Sequence, residues 1–584
     1  MCGIIGYIGE GKANEILLKG IKNLTYRGYD SWGLALKFGN KILIKKEVGD
    51  VSEIKNVFKA KTAKIGIAHT RWATHGKVSR ANAHPHLSCD KSIAVVHNGI
   101  IDNFLELKEK LIKKGHKFVS QTDTEVIPHL IEEFSKKFEY EKAFFKALKK
   151  LKGSFAIVAS NKNEDILIGA RKDSPLIVGI GQGYFLASDV LAFSDFANKA
   201  IYLDDFEVAI LRKGKIEIKN FEGKTVNKKI LKIDKVLKSS KANFKHFMLK
   251  EILEQPTALK RALIQNKKNL LTIAKTILKA KKVIFVACGT SRHAALIGRY
   301  IFSKLAKKFC EVVLASEFEY FLPILDKKTL IIAISQSGET ADVLKGVKLA
   351  KSKGAKILSI VNVMNSTLER LSDLTIGINC GPEIAVAATK SFTNQLAIFY
   401  LLGFAMIGKL NFAIKKLKEI ASRIEKIFSN LKQIKNLASL IKDRKDIYFI
   451  ARGINFAVAL EGALKIKEIS YLHAEGMPAG ELKHGTLALI EKDVPVIAVC
   501  PKDSTYYDTL SNAEEAKARG AFLIGISDEA NRVFDKLIRI PKVEEIFYPI
   551  LTTIPLQILA YYLATLRRLN PDKPKNLAKS VTVK

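Results

Sequence analysis

The chain is sparing with cysteine and tryptophan, having six of the first (Cys2, Cys89, Cys288, Cys310, Cys380, Cys500) and two of the second in 584 residues. The cysteines are scattered, with neither pairing intervals nor the short spacings of metal-ligating motifs. That argues against a disulfide framework and a structural zinc, and places the protein in a reducing cytoplasm with no metal expected. No basic segment with an apolar stretch behind it opens the chain, so no secretory leader is expected. No apolar run is read as reaching the roughly 18–20 residues that cross a bilayer, so no membrane association is expected. Acidic residues are few beside basic ones, 58 against 96, for a formal net charge of +38. Such an excess raises a nucleic-acid reading, because clustered Lys and Arg neutralise phosphates. Most of it is lysine interspersed along helical segments such as Lys409 to Lys435, with no recognition motif. A solvated lysine surface that welcomes small anionic substrates is the better reading, and no nucleic-acid partner is expected.

What is present is a long α/β chain with 48% hydrophobic and 26% charged residues, enough for three or four domains. It opens Met1-Cys2-Gly3-Ile4-Ile5. A small residue at position 2 permits removal of the initiator methionine, which would put a thiol and a free α-amine on one residue. The amine, with an ordinary pKa of about 7.7–8.0, can serve that thiol as a base. From Cys2 to about Ile218 the chain reads as short strands, two or three helices and Gly-containing turns. Strands are expected at Ile4–Ile8, Ile65–His69 and Ile93–His97, a hairpin at Ser154–Val158 and Ile166–Ala170, and a helix over Ala13–Leu24.

Polar clusters stand where these strands end: Tyr26-Arg27-Gly28-Tyr29-Asp30, His69 through Gly76, Asn82 through His86, His97-Asn98-Gly99, and Gln121 through Glu125. Singly, each reads as a satisfied turn. Together they suit a substrate with an α-carboxylate, an α-ammonium and a side-chain amide. Arg71 can pair the carboxylate and Asp123 the ammonium. The Asn98 side-chain amide and the Gly99 N–H can stabilise a tetrahedral oxyanion beside Cys2.

With Cys2-Gly3-Ile4, Arg27-Gly28-Tyr29-Asp30, His69-Thr70-Arg71-Trp72-Ala73-Thr74-His75-Gly76, His97-Asn98-Gly99 and Thr122-Asp123-Thr124-Glu125, the first third resembles the class II glutamine amidotransferases. The resemblance implies an N-terminal-nucleophile αββα sandwich over residues 2–218, a γ-glutamyl thioester on Cys2 and release of ammonia. Arg71, Thr74, His75, His84 and Asp123 would contact glutamine, and Trp72 would gate ammonia. Trp32 departs from the pattern, where a small residue is usual, so different packing of the loop after Tyr29 is expected.

A lysine-rich, turn-prone stretch at 219–247 reads as a linker. The segment from His246 then starts a helix expected to stop at Pro256. Beyond it, all-apolar strands alternate with helices, the pattern of a parallel sheet. Val283–Ala287 leads through Cys288-Gly289-Thr290-Ser291 into a helix, and Leu330–Ile334 through Ser335-Gln336-Ser337-Gly338-Glu339-Thr340 into another. The pattern recurs at Ile447–Ala451 and Val496–Cys500, about 164–165 residues later, as expected of a duplicated domain. The first copy offers hydroxyls and backbone N–H groups at helix N-termini, an anion site. In the second copy, Pro501-Lys502-Asp503-Ser504-Thr505 has lost the glycine and gained a carboxylate. That copy instead carries Glu461, Lys465 and Glu468 on one helix face, followed by His484 near a turn.

These features resemble paired sugar isomerase domains, assigned to 248–425 and 426–565, with a tail at 566–584 that ends Asn576-Leu577-Ala578-Lys579-Ser580-Val581-Thr582-Val583. The combination implies transfer of the glutamine amide nitrogen to fructose 6-phosphate and isomerisation to glucosamine 6-phosphate, with no cofactor. By resemblance, Lys579 would form a Schiff base with the keto sugar. Glu468 would move the proton between C1 and C2, Lys465 would place positive charge near the enolamine, and Glu461 would orient its neighbours. His484, contributed across a homodimer, would assist ring opening. Thr290, Ser291, Ser335, Gln336, Ser337 and Thr340 would hold phosphate and sugar hydroxyls, with Glu383, Val386 and Ala578 nearby. Ala388 and Thr486 depart from the usual Ser and Pro. Competing readings are an amidotransferase serving another sugar phosphate, a non-catalytic sugar-phosphate sensor, and a charge-driven nucleic-acid binder.

Overall fold

The computed structural model describes residues 2–58, 62–233 and 240–582; residues 234–239 of the expected linker and Val583 of the tail motif lie outside them. The chain divides into two compact units, Met1–Leu237 with Ser580–Lys584, and Lys238–Lys579.

The first unit is built on two antiparallel sheets, one of eight strands and one of six. Their facing sides meet in a layer that includes Ile4, Ile67, Val96, Val158, Leu167 and Leu186. Each fully buried aliphatic side chain of this kind contributes about 1.5–3 kcal/mol, so the layer holds the sheets in register. The helix Ala13–Asn23 covers the outside of the larger sheet, burying Ile16, Leu17 and Ile21. The helices Phe104–Lys113, Val126–Ser135 and Tyr140–Leu148 cover the smaller one. The order is αββα. The strand Gly3–Ile8 is inner, paired antiparallel with Gly183–Ala187 on one side and Ile65–Arg71 on the other. Gly3 faces Thr70 across that ladder, which brings Cys2 to the end of the strand carrying Arg71. Trp32 does not disturb a loop. It lies within the strand Ser31–Phe38, opposite Thr70, and is buried in the core beneath the first helix.

The second unit contains two five-stranded parallel sheets with the same topology. In each, the first strand (Lys282–Ala287 or Asp446–Ala451) lies between the second and third, and the fourth and fifth follow outward. This 2-1-3-4-5 order places its ligand crevice at the carboxyl ends of the first and third strands. The two repeats share one large hydrophobic core on one face of their sheets, and each keeps a smaller core of its own on the other face. The reason for the shared core is a pair of apolar helices. Lys390–Met406 is buried along its whole length, and Tyr548–Leu566 nearly so.

That last helix corrects the reading of apolar runs. The stretch Glu545–Leu566 is long and apolar enough to cross a membrane by length and composition, but 89% of its apolar window is buried inside the protein. The expected stop at Pro256 is also corrected. One helix ends at Leu253, and Pro256 stands in the first turn of the next, Gln255–Ala262, where a missing N–H costs nothing.

Candidate active sites

One cavity of the first unit is lined by every residue assigned to glutamine: Cys2, Arg71, Trp72, Thr74, His75, His84, Asn98, Gly99 and Asp123. The Cys2 thiol lies against the Trp72 backbone, accepting from its N–H at 3.4 Å and facing its carbonyl at 3.5 Å. Burial pushes this thiol up from its ordinary value. Asn98 lies in the strand Ile93–Ile101; its Nδ2 donates to the Cys2 carbonyl at 3.0 Å, and its Oδ1 meets His69 Nε2 at 3.1 Å. The histidine therefore fixes which way the amide points, with the donor end toward Cys2. Gly99 has φ of +125°, and a Cβ there would stand 2.0 Å from the Ser154 carbonyl, so only glycine allows this backbone beside the nucleophile. Asp123 accepts the Ile101 N–H at 2.8 Å, which ties the acid to the same strand.

The Arg71 guanidinium donates to the carbonyls of His75, Gly76 (3.3 Å) and Lys77 (3.3 Å), and so shapes the loop that carries Thr74 and His75. His84 stacks on His69 with ring centroids 4.1 Å apart. Burial drives His69 down to about 3 and His84 well below its ordinary value, so both rings are neutral at pH 7.

In the second unit, Thr290 and Ser291 begin the helix Gly289–Ala306 after the first strand of the repeat. Ser335 to Thr340 connect the adjacent third strand to the helix Ala341–Ser352. Ser335 Oγ pairs with Thr340 Oγ1 at 2.8 Å and accepts the Gly338 N–H at 3.0 Å. Gly338, at φ of +69°, is packed so closely that a Cβ would lie 2.1 Å from Ser366 Oγ. Ser337 Oγ accepts the Glu339 N–H at 3.2 Å, and the Gln336 carbonyl accepts from Asn362 N at 3.0 Å. Ser291 Oγ accepts from Gln395 at 3.1 Å. In the second repeat the corresponding turn is bonded internally: Asp503 accepts from the Thr505 N–H and hydroxyl, both at 2.8 Å, and from Asn455 Nδ2 at 2.6 Å, while the turn still borders a cavity with Lys304, Gly453 and Glu545.

The helix Phe456–Ser470 presents Glu461, Lys465 and Glu468 together. Lys465 Nζ lies 2.5 Å from Glu468 Oε2 and 3.4 Å from Glu461 Oε1, and donates to Thr290 Oγ1 at 3.1 Å. Thr290 in turn donates to Glu461 at 3.0 Å. Glu461 and Lys465 are fully buried, whereas Glu468 keeps 21% of its side chain open. Burial alone would lower the Lys465 ammonium, but the two carboxylates hold it above its ordinary value. This is no solvated stripe.

The tail brings Lys579 onto Glu383 as a buried ion pair, 5% and 0% exposed. Burial would raise the Glu383 carboxyl, but the Lys579 ammonium and the N–H groups of Ser391 and Thr389 bring it down to about 2. Val386 N donates to the Asp572 carbonyl at 3.1 Å, which fastens this loop to the approach of the tail. Ala578 precedes Lys579 there, and Ala388 is half-buried in the loop after Glu383. His484 stands apart, exposed at the end of the turn Ala479–His484, with Thr486 two residues on. The chain's own fold does not draw it into this polar network.

Sequence reasoning missed three supporting side chains. His293 Nδ1 lies 2.8 Å from Glu461 Oε2, one turn along from Thr290, and that i, i+3 spacing was a usable signal. Glu251 accepts from the N–H groups of Ile384 (2.6 Å) and Ala385 (3.3 Å), beneath Glu383. Ser391 donates to Glu383 at 2.7 Å. Nothing local in the sequence points to Glu251.

An amidotransferase pocket followed by a duplicated phosphosugar fold defines the class. Residues 69–195 match the glutamine amidotransferase domain, and residues 276–405 and 440–567 each match the SIS domain. The chain is 50% identical to the glutamine–fructose-6-phosphate aminotransferase (isomerizing) of Thermococcus kodakarensis and 46% identical to that of Methanothermobacter thermautotrophicus, over the full length of each pair. Among solved structures, the C-terminal domain of glucosamine-fructose-6-phosphate aminotransferase from Francisella tularensis covers 57% of this chain and all of its own, with 35% identity and a TM-score of 0.54. Tagatose-6-phosphate ketose/aldose isomerase from Escherichia coli covers 58% of this chain and 99% of its own, at 19% identity and a TM-score of 0.51, a likeness of fold alone. The chain belongs to the glutamine–fructose-6-phosphate aminotransferase (isomerizing) family.

Proposed function

We propose that this enzyme moves the amide nitrogen of glutamine to fructose 6-phosphate and isomerises the product to glucosamine 6-phosphate, the entry to amino-sugar synthesis, with the labour divided as follows. Cys2 attacks the glutamine amide, and Asn98 with the Gly99 N–H stabilises the oxyanion. Arg71 and Asp123 bind the two ends of the amino acid, assisted by Thr74, His75 and His84, and Trp72 gates the ammonia released. Lys579 forms the imine with the open-chain ketose, losing water; the ammonia released at Cys2 then displaces the lysine amine from C2 to leave the sugar imine, and water hydrolyses the γ-glutamyl thioester to glutamate. The imine acidifies the adjacent C–H, and Glu468, the one member of its trio open to a ligand, carries the proton between C1 and C2. Lys465 stays cationic beside the enolamine because Glu461 and Glu468 flank it.

The observation that carries this reading is Thr290. It belongs to the anion-binding turn of the first repeat, yet it hydrogen-bonds Glu461 and Lys465 of the second. Phosphate holding by Thr290, Ser291, Ser335, Gln336, Ser337 and Thr340 is thereby connected to proton transfer. Glu383, Val386 and Ala578 frame Lys579. The exposure of His484 supports its use by a second copy in a cytoplasmic homodimer, where the partner subunit's His484 would assist ring opening.

The test is a product assay: the purified chain should form glucosamine 6-phosphate and glutamate from glutamine and fructose 6-phosphate. Borohydride should trap the sugar on wild type and not on Lys579→Ala. Trapping unchanged in that variant would move the imine elsewhere. Cys2→Ala should lose glutamine use and keep sugar-phosphate binding.

A further inference from the structure

Away from the glutamine cavity, three separate segments of the first unit bring a thiol, two imidazoles and a carboxylate to one point. Cys89 lies in the turn between the strands His86–Leu87 and Ile93–Ile101. His116 lies beyond the helix Phe104–Lys113, and His129 and Glu132 lie one turn apart on the helix Val126–Ser135. Their four ligand atoms all fall within 4.8 Å of one another. Cys89 Sγ is 3.5 Å from His129 Nδ1 and 3.7 Å from His116 Nδ1. Glu132 Oε2 is 3.5 Å from His129 Nδ1 and 3.2 Å from His116 Nδ1. Four ligands held tetrahedrally at about 2.0–2.3 Å from one ion stand roughly 3.3–3.6 Å apart. The four separations above, 3.2–3.7 Å, lie near that spacing, within an overall spread of 4.8 Å.

The surroundings match. Both histidines turn Nδ1 inward and Nε2 toward a carboxylate: His116 Nε2 lies 3.3 Å from Glu133, and His129 Nε2 lies 3.6 Å from Glu125. The His116–Glu133 hydrogen bond is of the carboxylate–histidine kind that fixes the ring and its tautomer in metal centres, and Glu125 faces His129 from beyond hydrogen-bond distance. The Lys117 N–H donates to Cys89 Sγ at 3.3 Å, as thiolate ligands require. The Cys89 and Asp90 N–H groups, both at 2.9 Å, hold the Glu132 carboxylate in place. Both rings are buried, Glu132 is half-buried, and only Cys89 is exposed, so an ion could enter from its side.

We propose that Cys89, His116, His129 and Glu132 form a structural metal site for a tetrahedral divalent transition-metal ion, zinc by the donor set. One thiolate and two imidazoles disfavour calcium and magnesium, and four protein ligands leave no open position for chemistry. The scattered cysteines hid it, because a single cysteine supplies the sulfur and the other ligands come from residues 27 to 43 positions away. The ion would fasten together segments that also lead into the glutamine cavity: His84 lies just before Cys89, and Asp123 lies between His116 and His129.

The test uses the full-length chain. After zinc loading and exhaustive dialysis, elemental analysis should give one zinc per chain. After chelation, cobalt(II) titration should produce the visible bands of tetrahedral coordination and a near-ultraviolet thiolate-to-cobalt charge-transfer band. Cys89→His, which keeps a donor and the fold, should lose that charge-transfer band, and His129→Gln should cut zinc content at least tenfold. Zinc below about one-tenth of an ion per chain, or a charge-transfer band that persists in Cys89→His, would overturn the assignment.

Discussion

The two sugar isomerase repeats have the same strand order and a shared core, yet their third-strand turns do opposite things. In the first, Ser335 bonds both Thr340 and the Gly338 N–H, and the turn ends in hydroxyls at a helix N-terminus. In the second, the offset of about 165 residues places Asp503 where the first has Gly338, and that carboxylate takes the Thr505 N–H and hydroxyl for itself. Burial raises the Asp503 carboxyl. The second repeat carries Glu461, Lys465 and Glu468, and Thr290 reaches across from the first to meet them. Duplication thus produced one site with two halves.

The comparison can be broken at several points. The largest effect belongs to the second repeat: Glu468→Gln should lower synthesis of glucosamine 6-phosphate by about 10²–10⁴-fold while changing the KM for fructose 6-phosphate little, because the proton carrier is lost and the phosphate cradle is kept. Equal losses in kcat and binding would remove Glu468 from the proton path. Next, Gly338→Asp would copy the second repeat into the first. It should raise the KM for fructose 6-phosphate by about tenfold or more, since a side chain there meets Ser366 and its charge repels phosphate. An unchanged KM would place the phosphate elsewhere.

A smaller, pH-dependent effect is expected beneath the first repeat's ion pair. Burial, then the charge of Glu383, push Glu251 up from 4.5 to about 8. Its folded-state pKa lies above the unfolded one, so the folded state holds the extra proton in that window and loses stability as pH rises from about 4.5 to about 8. Glu251→Gln should therefore melt higher than wild type at about pH 9 and show no advantage near pH 5. A constant difference across that range would contradict the buried neutral acid. The smallest effect is expected for Asp503→Asn. It should cost about 1 kcal/mol in stability and leave the sugar KM within twofold.

How legible all this was depended on how local the signal was. Cys2 and Arg71 lie at strand ends, Asn98 and Gly99 within a strand that runs on to Ile101, and Asp123 in a short turn; all stand in recognisable clusters that the fold brings to one cavity. The Ser335–Thr340 turn was readable for the same reason, as strand, hydroxyls, glycine and helix follow one another directly. The Glu461–Lys465–Glu468 face followed from helical spacing, although its burial depends on contact with Thr290, 171 residues from Glu461. Glu251 beneath Ile384 and the Cys89 cluster were not readable, since each is assembled from residues whose proximity only the tertiary fold creates. The core that the two repeats share was hidden too, because uniformly apolar helices such as Lys390–Met406 carry no periodicity that says which neighbours cover them.

The proposal that the first repeat, and not the second, holds the phosphate is tested most directly by calorimetric titration of fructose 6-phosphate into two variants side by side. The double variant Ser335→Ala/Thr340→Val removes the hydroxyl pair of the first turn, and Asp503→Asn neutralises the carboxylate of the second. The account predicts binding about tenfold or more weaker for the first and within twofold of wild type for the second. Equal weakening in both, or weakening confined to Asp503→Asn, would contradict it.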